Sequence, residues 1–269
     1  MNDSNAGIAG HFTSARLQGV SIPSYPGTVP ADLATAYQVQ QLAIERWPDR
    51  LVGWKVARIG PQSQSQYPEP RLIGPVFARN VHVVAPGQVA ECPVIPGGFA
   101  AVEAEVGLYV RADAPPGKTD WTPAEAAELV ASLCIGVEVA SSPLATLNDH
   151  GPGAVISDFG NNWGVVIGAT ITDWRTRTTG LDVETFIDGR SVGKGTIAIP
   201  QTPLEAFAFA LNKAAQLGRP LRAGAYLSTG MITGVHDIRV GEHSRLVFGE
   251  YGEIQCRAVA AQPYLGAAK

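Results

Sequence analysis

Polar and apolar positions alternate along Val102-Glu103-Ala104-Glu105-Val106-Gly107-Leu108-Tyr109-Val110. Successive strand side chains point to opposite faces, so this run predicts a strand with an apolar face and two glutamates together on the other. The run 133–142, Leu-Cys-Ile-Gly-Val-Glu-Val-Ala-Ser-Ser, predicts a second strand. Ile135, Val137 and Val139 share one of its faces, and Cys134, Gly136, Glu138 and Ala140 the other. Similar patterns predict strands near 52–59, 76–84, 164–171, 182–188, 191–198, 236–241, 245–249 and 253–260. Asp188-Gly189 sits between alternating residues and predicts a hairpin turn. The segment 31–47, with Leu33, Tyr37, Gln40-Gln41 and Ile44, predicts an amphipathic helix ending near Pro48. Thr122-Pro123-Ala124-Glu125 and Thr202-Pro203-Leu204-Glu205 each read as a Thr cap, Pro at the first helical position and Glu at the third. The first predicts a helix to about Ser132, the second one to Gln216 or Leu217 with Gly218 as its stop. Many short strands with few helices predict an α+β chain, a mixed β-barrel or roll. Residues 1–50 would form a helical N-terminal subregion and 51–269 the β-rich body.

The three strand carboxylates carry the chemistry. Two like charges on a half-buried strand repel and resist desolvation, and an unpaired glutamate is rarely buried. Glu103, Glu105 and Glu138 either pair with nearby Lys or Arg, lie on a solvated face, or hold a hard divalent cation. Three oxygen ligands with open positions for water and substrate suit Mg²⁺ or Mn²⁺. Lys55 sits inside the apolar strand 51–59, an unusual place for a surface lysine.

Composition narrows the class. The net charge is −4, with 20 Lys and Arg against 24 Asp and Glu and no basic cluster, which argues against a nucleic-acid surface. The three cysteines, Cys92, Cys134 and Cys256, are scattered and lack metal spacing, as expected of reduced thiols in a cytoplasmic protein. Met1-Asn2-Asp3-Ser4 lacks the charged start and apolar run of a signal peptide, and no apolar stretch is long enough to span a membrane.

Five pieces in order along roughly 30–260 carry a family resemblance: Gly53-Trp54-Lys55-Val56, Val102-Glu103-Ala104-Glu105-Val106, Gly136-Val137-Glu138-Val139, Ser157-Asp158 followed by Gly164-Val165-Val166-Ile167-Gly168, and Ser228-Thr229-Gly230. With them the chain resembles the fumarylacetoacetate hydrolase superfamily, in its 2-keto-4-pentenoate hydratase and 4-oxalocrotonate decarboxylase branch. The resemblance implies a β-barrel-like roll, homo-oligomers and a divalent metal on Glu103, Glu105 and Glu138. It also implies a substrate or proton-transfer role for Lys55 and a small anionic 2-keto acid as substrate. The chain departs from the hydratase pattern at Ala140-Ser141-Ser142-Pro143, where Asp-Ser-Arg is usual. It departs again at Pro70-Arg71-Leu72-Ile73-Gly74, where Pro-Asp-Tyr-Gly is usual, and at Phe159-Gly160-Asn161-Asn162 after Asp158.

These readings predict a metal-dependent hydratase (a hydro-lyase) adding water to 2-hydroxypenta-2,4-dienoate. Asp158 and Asn161 would orient water or substrate, or simply form a turn. Thr229 and Gly230 would bind the substrate carboxylate, or form a tight turn. A 4-oxalocrotonate-type decarboxylase is the alternative, with Arg58 or Arg71 receiving a second carboxylate. Acylpyruvate C–C hydrolysis lacks its usual Glu-His pair here. A non-catalytic binding subunit is the remaining reading, since decarboxylase and hydratase of this family associate. The polar segment 60–70 reads as a surface loop or a mobile lid, and His150 as an exposed residue or an acid–base group.

Overall fold

A computed structural model describes residues 5–264. The described residues form five α-helices: α1 (Asn5–Gln18), α2 (Leu33–Arg46), α3 (Pro123–Ala127), α4 (Pro152–Ser157) and α5 (Gln201–Gln216). The early strands are β1 (Leu51–Arg58), β2 (Arg71–Phe77), β3 (Val81–Val83), β4 (Val89–Val94), β5 (Phe99–Val110) and β6 (Val130–Ser142). The later ones are β7 (Asn162–Ile171), β8 (Leu181–Ile187), β9 (Arg190–Ile197), β10 (Tyr226–Ser228), β11 (His236–Asp237), β12 (His243–Phe248) and β13 (Glu253–Ala260). The fold is an α+β roll. One sheet runs β2-β1-β10-β5-β6-β7-β3, with β11 also on β5, and a second runs β4-β13-β12-β8-β9.

The apolar faces foreseen for β5 and β6 form the centre of the core. Val102, Ala104, Val106 and Leu108 are fully buried, as are Ile135, Val137 and Val139 on the partner strand. These two strands form the longest ladder of the fold, from Phe99↔Ser142 to Val110↔Val130. The Asp188-Gly189 turn joins β8 to β9, with both residues at positive φ as such a turn requires.

Several expectations are corrected. The strand foreseen at 76–84 is split by a 3₁₀ turn at Ala78–Asn80 into the end of β2 and β3. The capping box at Thr122 forms, but α3 stops at Ala127 and Val130 already pairs with β5. Ladder pairing along the long central strand overrides helix propensity there. Helix α5 starts at Gln201, one residue before the expected Thr202 cap, and its first turn carries no side-chain cap. Helix α1 and strands β4 and β10 were not foreseen. The three residues of β10 are too few to show periodicity, yet they pair parallel with β1 and antiparallel with β5. No described helix is long and apolar enough to cross a membrane.

Candidate metal centre and active-site cavity

Register brings the carboxylates together. Glu103 on β5 lies opposite Glu138 on β6, and Glu105 lies opposite Gly136. All three glutamates are buried, and one carboxylate oxygen from each lies within 4.8 Å of the others. Glu105 Oε2 accepts hydrogen bonds from the Ser228 hydroxyl and from the Gly230 amide, the latter at 3.0 Å. Glu105 Oε1 and Glu138 Oε2 accept no hydrogen bond, and Glu138 Oε1 meets only the Lys55 ammonium. Buried carboxylate oxygens left this way are costly unless a cation meets them. Burial, then the charge of Glu138, pushes the Glu103 carboxyl up to about 8, with Lys55 opposing. Burial and its two acidic neighbours push Glu105 well above the usual range. A hard, oxygen-seeking divalent ion fits these orphaned atoms and this donor set.

One lysine faces the trio. Lys55 pairs in register with Ser228 across the parallel β1–β10 ladder, and its Nζ lies 3.1 Å from Glu138 Oε1. Burial works against its charge, but Glu138, Glu103 and Glu105 outweigh it and hold the ammonium above its ordinary pKa. The wall beside Lys55 is the turn after α4. A Cβ on Gly160 would lie 3.2 Å from Lys55 Cε and 2.9 Å from Gly74 Cα. A Cβ on Gly74 would lie 2.2 Å from the Phe159 carbonyl oxygen, so only glycine at both positions allows this approach.

Above the lysine opens a cavity of about 500 Å³. Lys55, Glu103 and Asn161 lie on its wall, and Arg58 and Arg71 add positive charge. Burial and the neighbouring Arg58 lower the Arg71 pKa, with Glu205 opposing at 3.9 Å. Ile59, Leu72, Val155, Ile197, Ile232 and Val235 supply apolar wall. Among the described residues lining it, Glu103 is the only carboxylate, and none is histidine.

Of the residues singled out in the sequence, Lys55, Arg71, Glu103, Asn161, Thr229 and Gly230 reach the cavity. Glu105 and Glu138 complete the acidic cluster with Glu103. Thr229 donates its hydroxyl to the Val106 carbonyl at 2.5 Å, and the Gly230 amide is taken by Glu105. Both donors are engaged within the fold. Asp158 stands elsewhere. It lies off the cavity, and Arg16 engages both of its oxygens, at 2.5 and 2.9 Å. His150 is exposed and contacts Thr146, away from the cavity wall. Gln62 and Ser63 of the 60–70 loop do line the cavity.

Sequence reasoning missed two residues. Ser228 stands in a glycine-bearing piece with no signal of its own. Arg16 follows Ile8 and Phe12 at helical spacing, and that spacing is the signal for its burial.

No family model matches the chain. It is 27% identical over 241 residues to a 4-oxalocrotonate decarboxylase of a Pseudomonas species, covering 87% of this chain and 90% of that protein. The solved 4-oxalocrotonate decarboxylase from Pseudomonas putida G7, complexed with magnesium and adipate, superposes with a TM-score of 0.76 at 21% identity, covering 96% and 98% of the two chains. Fumarylpyruvate hydrolase from Pseudomonas aeruginosa, in complex with Mn²⁺ and pyruvate, superposes at 0.55 with 17% identity, over 79% of this chain and 91% of that one. At these identities the two superpositions establish the shared fold.

Proposed function

We propose that the chain is a member of the fumarylacetoacetate hydrolase superfamily and a divalent-metal-dependent lyase that decarboxylates a small unsaturated 2-keto dicarboxylic acid of the 4-oxalocrotonate type. The observation that carries this reading is the polarity of the cavity. At one pole Lys55 stands with Glu103, the trio member on the wall; at the other Arg58 and Arg71 pair across the β1–β2 ladder, and among the described lining residues there is no free general base. Hydration needs a water to be activated. Loss of carbon dioxide from a vinylogous keto acid needs an electron sink and a proton donor. The adipate bound by the Pseudomonas putida relative is likewise a six-carbon dicarboxylate.

Glu103, Glu105 and Glu138 would hold Mg²⁺ or Mn²⁺, which when bound supplies Lewis-acid stabilisation of negative charge at the substrate's 2-oxygen. The chain's own residues do the rest. Arg71 receives the distal carboxylate as a charge-assisted pair, with Arg58 beside it. The apolar wall strips water from the carbon chain between the poles. The C5–C6 bond breaks, carbon dioxide leaves, and the electron pair passes through the conjugated carbons to the 2-oxygen. Lys55, held charged by the trio, is placed to donate a proton there, giving 2-hydroxypenta-2,4-dienoate.

The hydratase reading keeps one favourable observation. Asn161 Oδ1 is buried and unpaired on a residue of the cavity wall, an acceptor suited to a water. Both readings are tested with freshly prepared 2-oxohex-3-enedioate and 2-hydroxypenta-2,4-dienoate, each with Mn²⁺ and again with chelator. Metal-dependent carbon dioxide release from the first, absent in Glu105→Gln, is the expected result. Turnover of the dienoate to 4-hydroxy-2-oxopentanoate with no decarboxylation would replace this reading by the hydratase one.

A further inference from the structure

Arg16, on the N-terminal helix α1, is 2% exposed and is one of the largest fully buried side chains. It touches neither the cavity nor the carboxylate trio. Its guanidinium instead donates to Asp158 Oδ1 and Oδ2, to the Asp158 carbonyl at 3.1 Å, to the Asn162 carbonyl at 2.9 Å and to the Ser141 carbonyl at 2.8 Å. It also lies 5.2 Å from the Phe159 ring centroid and 5.6 Å from that of Trp163. Every one of these groups except Ser141 belongs to or adjoins the turn between α4 and β7.

That turn is conformationally expensive. Phe159, Gly160 and Asn161 take φ values of 55°, 67° and 65° in succession. Left-handed backbone is uncommon for non-glycine residues and is unfavourable for a bulky one such as Phe159. Such geometry persists only where the surroundings over-determine it. The turn's product is functional in placement: Gly160 stands against Lys55 Cε, and Asn161 reaches the cavity with its Oδ1 unpaired and buried.

We propose that Arg16 is a positioning residue, which clamps the turn after α4 from behind so that Asn161 meets the substrate and Gly160 fixes Lys55. The inference makes α1 part of the catalytic unit, and its activity readout rests on the lyase reading above. It explains why a helix remote from the cavity buries a charge in the core, where an apolar residue would cost less to desolvate.

The test is a double-mutant cycle of Arg16→Lys and Asn161→Ala, two residues the clamp couples. Arg16→Lys keeps the charge and removes the five-donor fork. Its kcat is expected to fall about 100-fold, the loss that follows a 1 Å misplacement. Its Mn²⁺ affinity, carried by the glutamates, is expected to be unchanged. In the Asn161→Ala background the same substitution should cost clearly less than in the wild type, only the part carried through Gly160 and Lys55. Losses that multiply, or a wild-type kcat in Arg16→Lys, would overturn the proposal. A second readout is calorimetric binding of pyruvate to the Mn²⁺-loaded protein, which needs no turnover. If no 2-keto acid is turned over by the wild type, the lyase reading fails. Equal, non-additive weakening of pyruvate binding by the two variants would still uphold the clamp, and additive weakening would still reject it.

Discussion

Metal uptake by Glu103, Glu105 and Glu138 is expected to expel protons, and the number can be worked from the site. The perturbation is addition of Mn²⁺ to chelator-stripped protein. Three buried carboxylates face one ammonium, so the metal-free cluster cannot hold all three charges. Glu103 is pushed up to about 8, which leaves it about nine-tenths protonated at neutral pH. Burial and its acidic neighbours push Glu105 well above its usual range in the same direction. Coordination requires the carboxylate form, so binding near neutrality displaces about one proton from Glu103, and Glu105 adds to that release. Apparent affinity then rises about tenfold per proton for each pH unit, and flattens once the carboxyls have titrated. The stability of the metal-free protein carries the opposite sign. Glu103's folded pKa lies above its ordinary 4.5, so its contribution is fully present below about 4.5 and is lost as pH rises through about 8. Saturating Mn²⁺ removes that loss. Isothermal calorimetry in two buffers of different ionisation enthalpy counts the protons, and thermal melts with and without chelator read the stability. Affinity flat with pH, together with no proton release, would refute the argument from burial.

Lys55→Met removes an ammonium 3.1 Å from the Glu138 carboxylate of the proposed metal centre. Mn²⁺ binding should tighten while kcat falls by about 10²–10⁴; parallel loss of both would show that Lys55 builds the metal site and does not act on substrate. Arg71→Leu should raise KM for 2-oxohex-3-enedioate by about 10–100-fold, the range of one charge-assisted hydrogen bond, and leave binding of the monocarboxylic dienoate unchanged; equal effects on both would reject the distal-carboxylate role. Gly74→Ala places a Cβ 2.2 Å from the Phe159 oxygen, and urea unfolding should show a loss of about 1–3 kcal/mol from overpacking.

The acidic centre was legible because its signal is local. Alternation put Glu103 and Glu105 on one face, and Glu138 stood alone in an apolar run, so each strand announced its carboxylate before any pairing was known. The antiparallel register that sets Glu103 opposite Glu138 lies between strands, and no single strand encodes it. Asp158 illustrates the limit. Its place beside a glycine-bearing turn suggested chemistry, but its role depends on Arg16, far off in sequence and on a helix whose weak periodicity hid it. Thr229 and Gly230 line the cavity with their donors engaged, and sequence does not distinguish a free donor from one consumed by a neighbouring strand. Strand β10 was invisible for the same reason: three residues become a strand only when two neighbours accept them.

The two halves of the centre also differ in when they can assemble. All three carboxylates lie on β5 and β6, neighbours in both chain and sheet, whereas Lys55 reaches them only after β10 slots between β1 and β5. Contacts between segments close in sequence form faster than those that close long loops. During synthesis, the acidic pair therefore emerges and zips together well before residues 226–228 exist to deliver its counter-charge. For that interval only protons or a divalent cation from solution can relieve the trio's repulsion, so a metal bound early would favour the β5–β6 pairing before its counter-charge arrives.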